Sequence, residues 1–207
     1  MEAFRTPDAE WFVYLLALAD CSAFKVGFSC NPLQRIYTFS RRYYERFDLP
    51  QSLLLRLHAE ADARAIEATL KSELVEFRID APAWVPPEAS RHTEWFNAVH
   101  FGPAEQRLRS FLEVHELSSV IDAAGHLRSE LQRASGSFEP WAWNQAQQVC
   151  DAFASAYTMR AALLLADSLH DWLDAYRFFD LPLFPDDPDV RGFVTSAARI
   201  HFSQAEA

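Results

Sequence analysis

The sequence predicts an α+β fold: a small, mainly antiparallel three-stranded sheet flanked by helices, then an all-helical C-terminal domain. Two observations carry this. Near the start, apolar runs at 12–18 and 23–28 are joined by a short polar turn at 19–22, the pattern of a hairpin. After Gly102-Pro103 the strand-like runs stop and amphipathic helical spacing takes over. A first domain is therefore expected over 1–102 and a helical domain over 103–207.

Each element has a local reason. A turn centred near Asp20 and Cys21 sets Tyr14 opposite Gly27 and Leu16 opposite Lys25. Tyr14 and Lys25 then become diagonal neighbours on one face, and a slip of one residue would part them. Gly27 clears room beside Tyr14. Asn31-Pro32 opens a helix expected over 32–47, with Ile36, Phe39, Tyr43 and Phe47 as its buried stripe. QSLLLRLH at 51–58 reads as a third strand. A second helix follows over 61–77, with Ile66, Leu70, Leu74 and Phe77 facing inward. A Pro-rich loop around Trp84 leads to a last short strand within 92–97, where Trp95 and Phe96 close the core. Beyond it, helices are expected at 104–116, 118–134, 141–157, 160–178 and 190–202. Breaks are expected at Ser135-Gly136-Ser137 and at 181–188.

Composition bounds the function. The chain has 207 residues, half of them apolar, enough to bury a sizeable core. Its 19 basic and 29 acidic residues give a formal net charge of −10, with −3 in residues 1–100 and −7 in the rest. Phosphate contacts are made by Lys and Arg, so this balance argues against avid nonspecific DNA binding by the whole chain. A local basic patch stays open. Three cysteines, Cys21, Cys30 and Cys150, match no metal-binding spacing and no disulfide framework, as in a reducing compartment. MEAFRTPDAE lacks the basic-then-apolar order expected of a secretory leader, and the apolar run at 161–166 is too short for a bilayer. The expectation is a soluble, cytoplasmic protein.

The chemistry gathers on the hairpin and its helix. Tyr14, Lys25 and Arg35 are three polar side chains on one small unit, a set suited to handling a phosphate. The plainer alternative is an ordinary hairpin with Tyr14 half-buried and Lys25 solvated. Arg35, Arg42 and Arg46 share a face of the expected helix, as a phosphate track or as a solvated face. Glu67 lies at the margin of its helix stripe, where it can point into a cleft or pair with Lys71 four residues on. His115, His126, His170 and His201 have no recurring ligand spacing.

These residues resemble the GIY-YIG nuclease superfamily. Phe12-Val13-Tyr14 stands where Gly-Ile-Tyr would be, and Lys25-Val26-Gly27 where Tyr-Ile-Gly would be. Arg35 follows at the place of the family arginine. Glu67 opens Glu-Ala-Thr-Leu-Lys, similar to the helix with the family's metal-binding glutamate, and Glu94-Trp95-Phe96 matches the closing motif of one branch. The likeness covers about 11–98. It implies a metal-dependent endonuclease acting on DNA. Tyr14 would be the general base, with Lys25 lowering its pKa. Arg35 would hold the phosphate and Glu67 one Mg²⁺ or Mn²⁺. Phe12 replaces the family glycine, Phe39 a histidine or tyrosine, and Asn97 is a loose counterpart of the late asparagine. The alternative is a non-catalytic nucleic-acid-binding or protein-interaction module on the same fold. The acidic helical half suits oligomerisation, partner binding or support of the first domain.

Overall fold

The computed structural model describes residues 10–89, 94–113, 118–154, 159–184 and 187–199. The hairpin forms as expected. Strands β1 (Trp11–Ala17) and β2 (Ala23–Ser29) pair antiparallel, with Tyr14 opposite Gly27 and Leu16 opposite Lys25. In the turn, Cys21 takes a positive φ of 56°, and Asp20 accepts hydrogen bonds from the backbone and hydroxyl of Ser22.

The expected helix over 32–47 is two. Helix α1 (Pro32–Phe39) ends at Ser40, and α2 (Tyr43–Arg46) is a separate single turn. The cause is tertiary. Phe47 bridges Leu18, Ala19 N donates to Arg46 O, and Asp48 N donates to Ala17 O. Those bonds need extended backbone at Phe47, and the break still buries Phe39, Tyr43, Tyr44 and Phe47. Arg42 and Arg46 therefore share no helix face with Arg35.

Strand β3 (Leu53–Leu57) pairs with β1 on the side away from β2. Helix α3 (Glu60–Glu73) packs its Ala63, Ile66 and Leu70 stripe on the sheet, and Val75–Phe77 finishes it as a 3₁₀ turn. Strand β4 (Trp95–Asn97) adds to β2, and α4 (Phe101–Ser110) returns over the same face as α3. Residues 118–122, expected to open a helix, instead give strand β5 (Ser119–Asp122) on the free edge of β3. The sheet thus has five strands rather than three, ordered β4-β2-β1-β3-β5 and antiparallel throughout. Val120 and Ile121 are β-branched, and an open edge of unpaired N–H and C=O groups outweighs the weak helical spacing there.

Compact units divide between Leu127 and Arg128, not at the 102/103 position expected from the sequence, because α4 and β5 belong to the sheet's layers. Helix α5 (Ala123–Ala154) runs unbroken through Ser135-Gly136-Ser137, where a break was expected. The Ser135 and Ser137 hydroxyls bond back to the Leu131 and Ala134 carbonyls, and Leu131, Phe138, Ala142, Ala146 and Val149 keep one buried stripe across the segment. Helix α6 (Met159–Phe178) buries Ala162, Ala166, Leu169, Leu173 and Tyr176, and the Tyr176 hydroxyl donates to Leu131 O at 2.9 Å. Asp187 caps α7 (Pro188–Ala198). The sequence-based positions His92, His115 and His201, and the ends of the helices expected at 104–116, 141–157 and 190–202, lie outside the described residues. Among the described residues no helix is long and apolar enough to cross a membrane.

Ser52 ties the end of β1 to the turn before β3. Its fully buried hydroxyl accepts from Ala17 N at 3.0 Å and donates to Asp48 O at 2.7 Å. Ser52→Ala strands the Ala17 N–H and should lower the unfolding free energy by about 1–3 kcal/mol in urea titration. An unchanged midpoint would show that this hydroxyl is dispensable.

Candidate active site

Tyr14 is the starting point. Its side chain is buried and crosses β2 at Gly27, where an added Cβ would overlap the hydroxyl and lie 2.7 Å from Cε2. Only glycine admits the ring there. Among the described residues β4 pairs with Ala23, Phe24 and Lys25 at the edge of β2, and the Glu94 carbonyl just before it accepts from Val26 N at 3.0 Å. The phenol reaches a polar cleft of about 410 Å³ at that edge.

Two further expected residues line the same cleft. Arg35 stands on α1, which Asn31 caps by accepting from Gln34 N at 3.0 Å. Glu67 stands on α3, beside the buried Ile66. Residues 14, 35 and 67, from a strand and two helices, thus meet in one place. Phe28, Arg64, Lys71, Glu88, Ala89 and Glu94 complete the lining. Arg64 lies over the Phe28 ring at 5.3 Å.

Lys25 is placed differently from the expectation. It shares a face with Tyr14, but its wholly buried ammonium donates to Glu94 Oε2 at 2.8 Å and does not line the cleft. The Phe39 and Trp95 rings flank it at 4.8 and 4.9 Å. Phe39 also carries the Arg35 guanidinium at 4.8 Å, so this ring is an apolar platform for two cations. The charges continue outward. Lys71 Nζ lies 3.4 Å from both Glu94 Oε1 and Glu67 Oε1. Four side chains alternate in sign from the core to the cleft: Lys25, Glu94, Lys71, Glu67.

Burial governs the proton affinities. It pushes the Tyr14 phenol well above its ordinary value. The Arg35 charge and hydrogen bond pull the other way, while Glu94 and Glu67 add to the rise. The expected lowering by Lys25 is therefore corrected: the phenol is raised, and the cation opposing the rise is Arg35. Burial likewise raises Glu67 against the pull of Lys71. It lowers Lys25 against the pull of Glu94. At Glu94 burial acts upward, but the Lys25 charge and hydrogen bond, with Lys71, hold the carboxyl below its ordinary value.

The remaining expected residues lie elsewhere. Arg42 pairs with Glu45 at 2.6 Å, and Arg46 lies over Trp84 at 5.4 Å. Neither lines the cleft. Asn97 is exposed, accepts from Val99 N at 3.0 Å, and borders a separate hollow with Cys21 and Phe101. Its match to the late asparagine does not bring it to Tyr14. Arg64 and Glu94 were not foreseen as site residues. Arg64, Glu67 and Lys71 do carry a readable signal: steps of three and four put them on one helical face beside the buried stripe. Glu94 was picked out only as part of the Glu94-Trp95-Phe96 motif, and no spacing reports its link to Lys25, which spans 69 residues of chain.

An antiparallel α+β domain with a mixed-charge cleft at one sheet edge is the class that fold and site define. The chain belongs to the T5orf172 domain family, whose pattern matches residues 11–123. The match runs from the first residue of β1 to the first residue of α5 and so takes in all five strands. The chain matches no curated protein and no solved structure.

The buried pair makes stability depend on pH. Glu94 is held below its ordinary range, so its contribution is present above that range and is lost as acid protonates the folded carboxyl. Glu94→Gln leaves the Lys25 charge without its partner and should cost about 3–5 kcal/mol at neutral pH. The gap from the unaltered protein should close on acidification. Urea midpoints that differ equally at neutral and acid pH would contradict this account.

Proposed function

We propose that the chain is a metal-dependent endonuclease that hydrolyses DNA phosphodiester bonds at the cleft of Tyr14, Arg35 and Glu67. The carrying observation is that these three, far apart in sequence, line one polar cleft. Membership of the T5orf172 domain family is consistent with a nucleic-acid-related function and supports the reading.

Hydrolysis requires a water to lose a proton, while the growing negative charge on the phosphate is neutralised. Arg35, half-buried and propped on Phe39, holds a phosphate oxygen pair with its planar fork. Tyr14 takes the proton from the attacking water. Burial keeps its phenol protonated at neutral pH, so only a small fraction is ready to act. Gly27 fixes where that oxygen sits. Lys25 holds Glu94 rather than the phenol, which makes it a positioning residue.

A divalent ion fits Glu67. Among the described residues no three His, Cys, Asp or Glu side chains group as a full metal cage. Mg²⁺ is nonetheless commonly held by one or two carboxylates with phosphate oxygens and water. Glu67 offers a hard oxygen on the cleft wall, and its basic partner Lys71 stands 3.4 Å away. When bound, such an ion polarises the phosphate and stabilises the leaving oxygen. Arg64 and Lys71 supply the cleft's other positive charges, while Arg42 and Arg46 lie outside it.

The raised phenol favours one competing reading, a module that binds nucleic acid on this fold without cutting it. Cleavage assays with Mg²⁺ or Mn²⁺ between about pH 6 and 10 separate the two. On the nuclease reading the rate climbs with pH, close to tenfold per unit, as the phenolate fraction grows. Tyr14→Phe and Glu67→Gln should each lower it by roughly 100-fold or more. DNA binding without cleavage at any of these pH values would select the binding module instead.

A further inference from the structure

We propose that Lys71 is the resting counter-ion of Glu67, and that a divalent cation arriving at Glu67 displaces it onto Glu94. This rests on the metal assignment above and adds a control over it. Lys71 Nζ lies 3.4 Å from one oxygen of each carboxylate. Charge-assisted bonds of this kind run about 2.7–2.9 Å, so the ammonium is shared rather than seated on either partner.

The two carboxylates differ in freedom. Glu94 is anchored by its other oxygen to the buried Lys25 at 2.8 Å. Glu67 is held through Oε1 by the long contact to Lys71, and it faces the cleft. Lys71 is the most exposed of the four charged groups, at 20 per cent of its side chain. Its four-carbon stem can retreat without backbone movement. When Glu67 turns to a cation, Lys71 keeps Glu94 as a partner and is not stranded.

The charge balance explains the consequence. Lys25, Lys71, Glu67 and Glu94 sum to zero, so a divalent ion entering alone gives the group a net charge of about +2 with the Lys71 ammonium close beside it. A substrate phosphate arriving with the ion offsets that repulsion. Lys71 thus holds metal affinity low in the free protein and couples metal binding to nucleic acid.

Calorimetric titration of Mn²⁺ into the full chain, without DNA, tests this. Lys71→Met should bind Mn²⁺ at least about tenfold more tightly than the unaltered protein, and Lys71→Arg should bind as weakly as it. Lys71→Gln serves as a second neutral variant if Lys71→Met does not fold. Glu67→Gln should abolish the binding. Equal affinities in the unaltered and neutral variants, with loss in Glu67→Gln, would overturn the counter-ion role and leave the metal assignment standing. Binding that survives Glu67→Gln would remove the assignment itself, and this proposal with it.

Discussion

The cleft depends on a close approach between an aromatic ring and bare backbone. Tyr14 points across β2 only because residue 27 has no side chain, and any Cβ there would occupy the space of the phenol. That contact turns a core tyrosine into one that reaches a sheet edge. The hairpin register enforces it, since Tyr14 and Gly27 are directly paired. A shift by one residue would send the phenol to the opposite face, into the apolar layer under α3.

Charge is arranged around this edge by burial. Lys25 sits in an aromatic cage with one carboxylate partner, and that carboxylate reaches Lys71 and through it Glu67. Removing a charge from the inner end of such a series is costly, because the partner left behind is out of water. At the outer end the groups touch solvent, distances lengthen, and rearrangement costs little. The same four residues thus combine a rigid interior with an adjustable face. The overall charge of −10 has little bearing on this, since the cleft mixes three cations with three carboxylates.

Much of this was legible because it is local. Turn length and period-two alternation set the register of Tyr14 against Gly27, and helical spacing found α3 and its inward stripe. The parts that were not legible are decided by contacts distant in sequence. Helix α1 stops at Phe39 because Phe47 must pair with Leu18. Ser119–Asp122 is a strand because β3 has an edge to offer. Ser135-Gly136-Ser137 stays helical because the residues on either side share one buried stripe. At the site, Tyr14, Arg35 and Glu67 were foreseen from motif and spacing. Lys25 was foreseen beside the phenol, but a glutamate 69 residues away takes its charge. Spacing within one element cannot report such a partner.

The central claim is that the phenol, the guanidinium and the carboxylate act on one phosphorus atom. The most direct measurement is a crystal structure of the Glu67→Gln protein with a short DNA duplex. The account predicts a backbone phosphate seated between Arg35 and the Tyr14 hydroxyl, with the substituted side chain at position 67 facing it. DNA bound elsewhere on the protein, with the cleft at Gly27 left without phosphate, would contradict it.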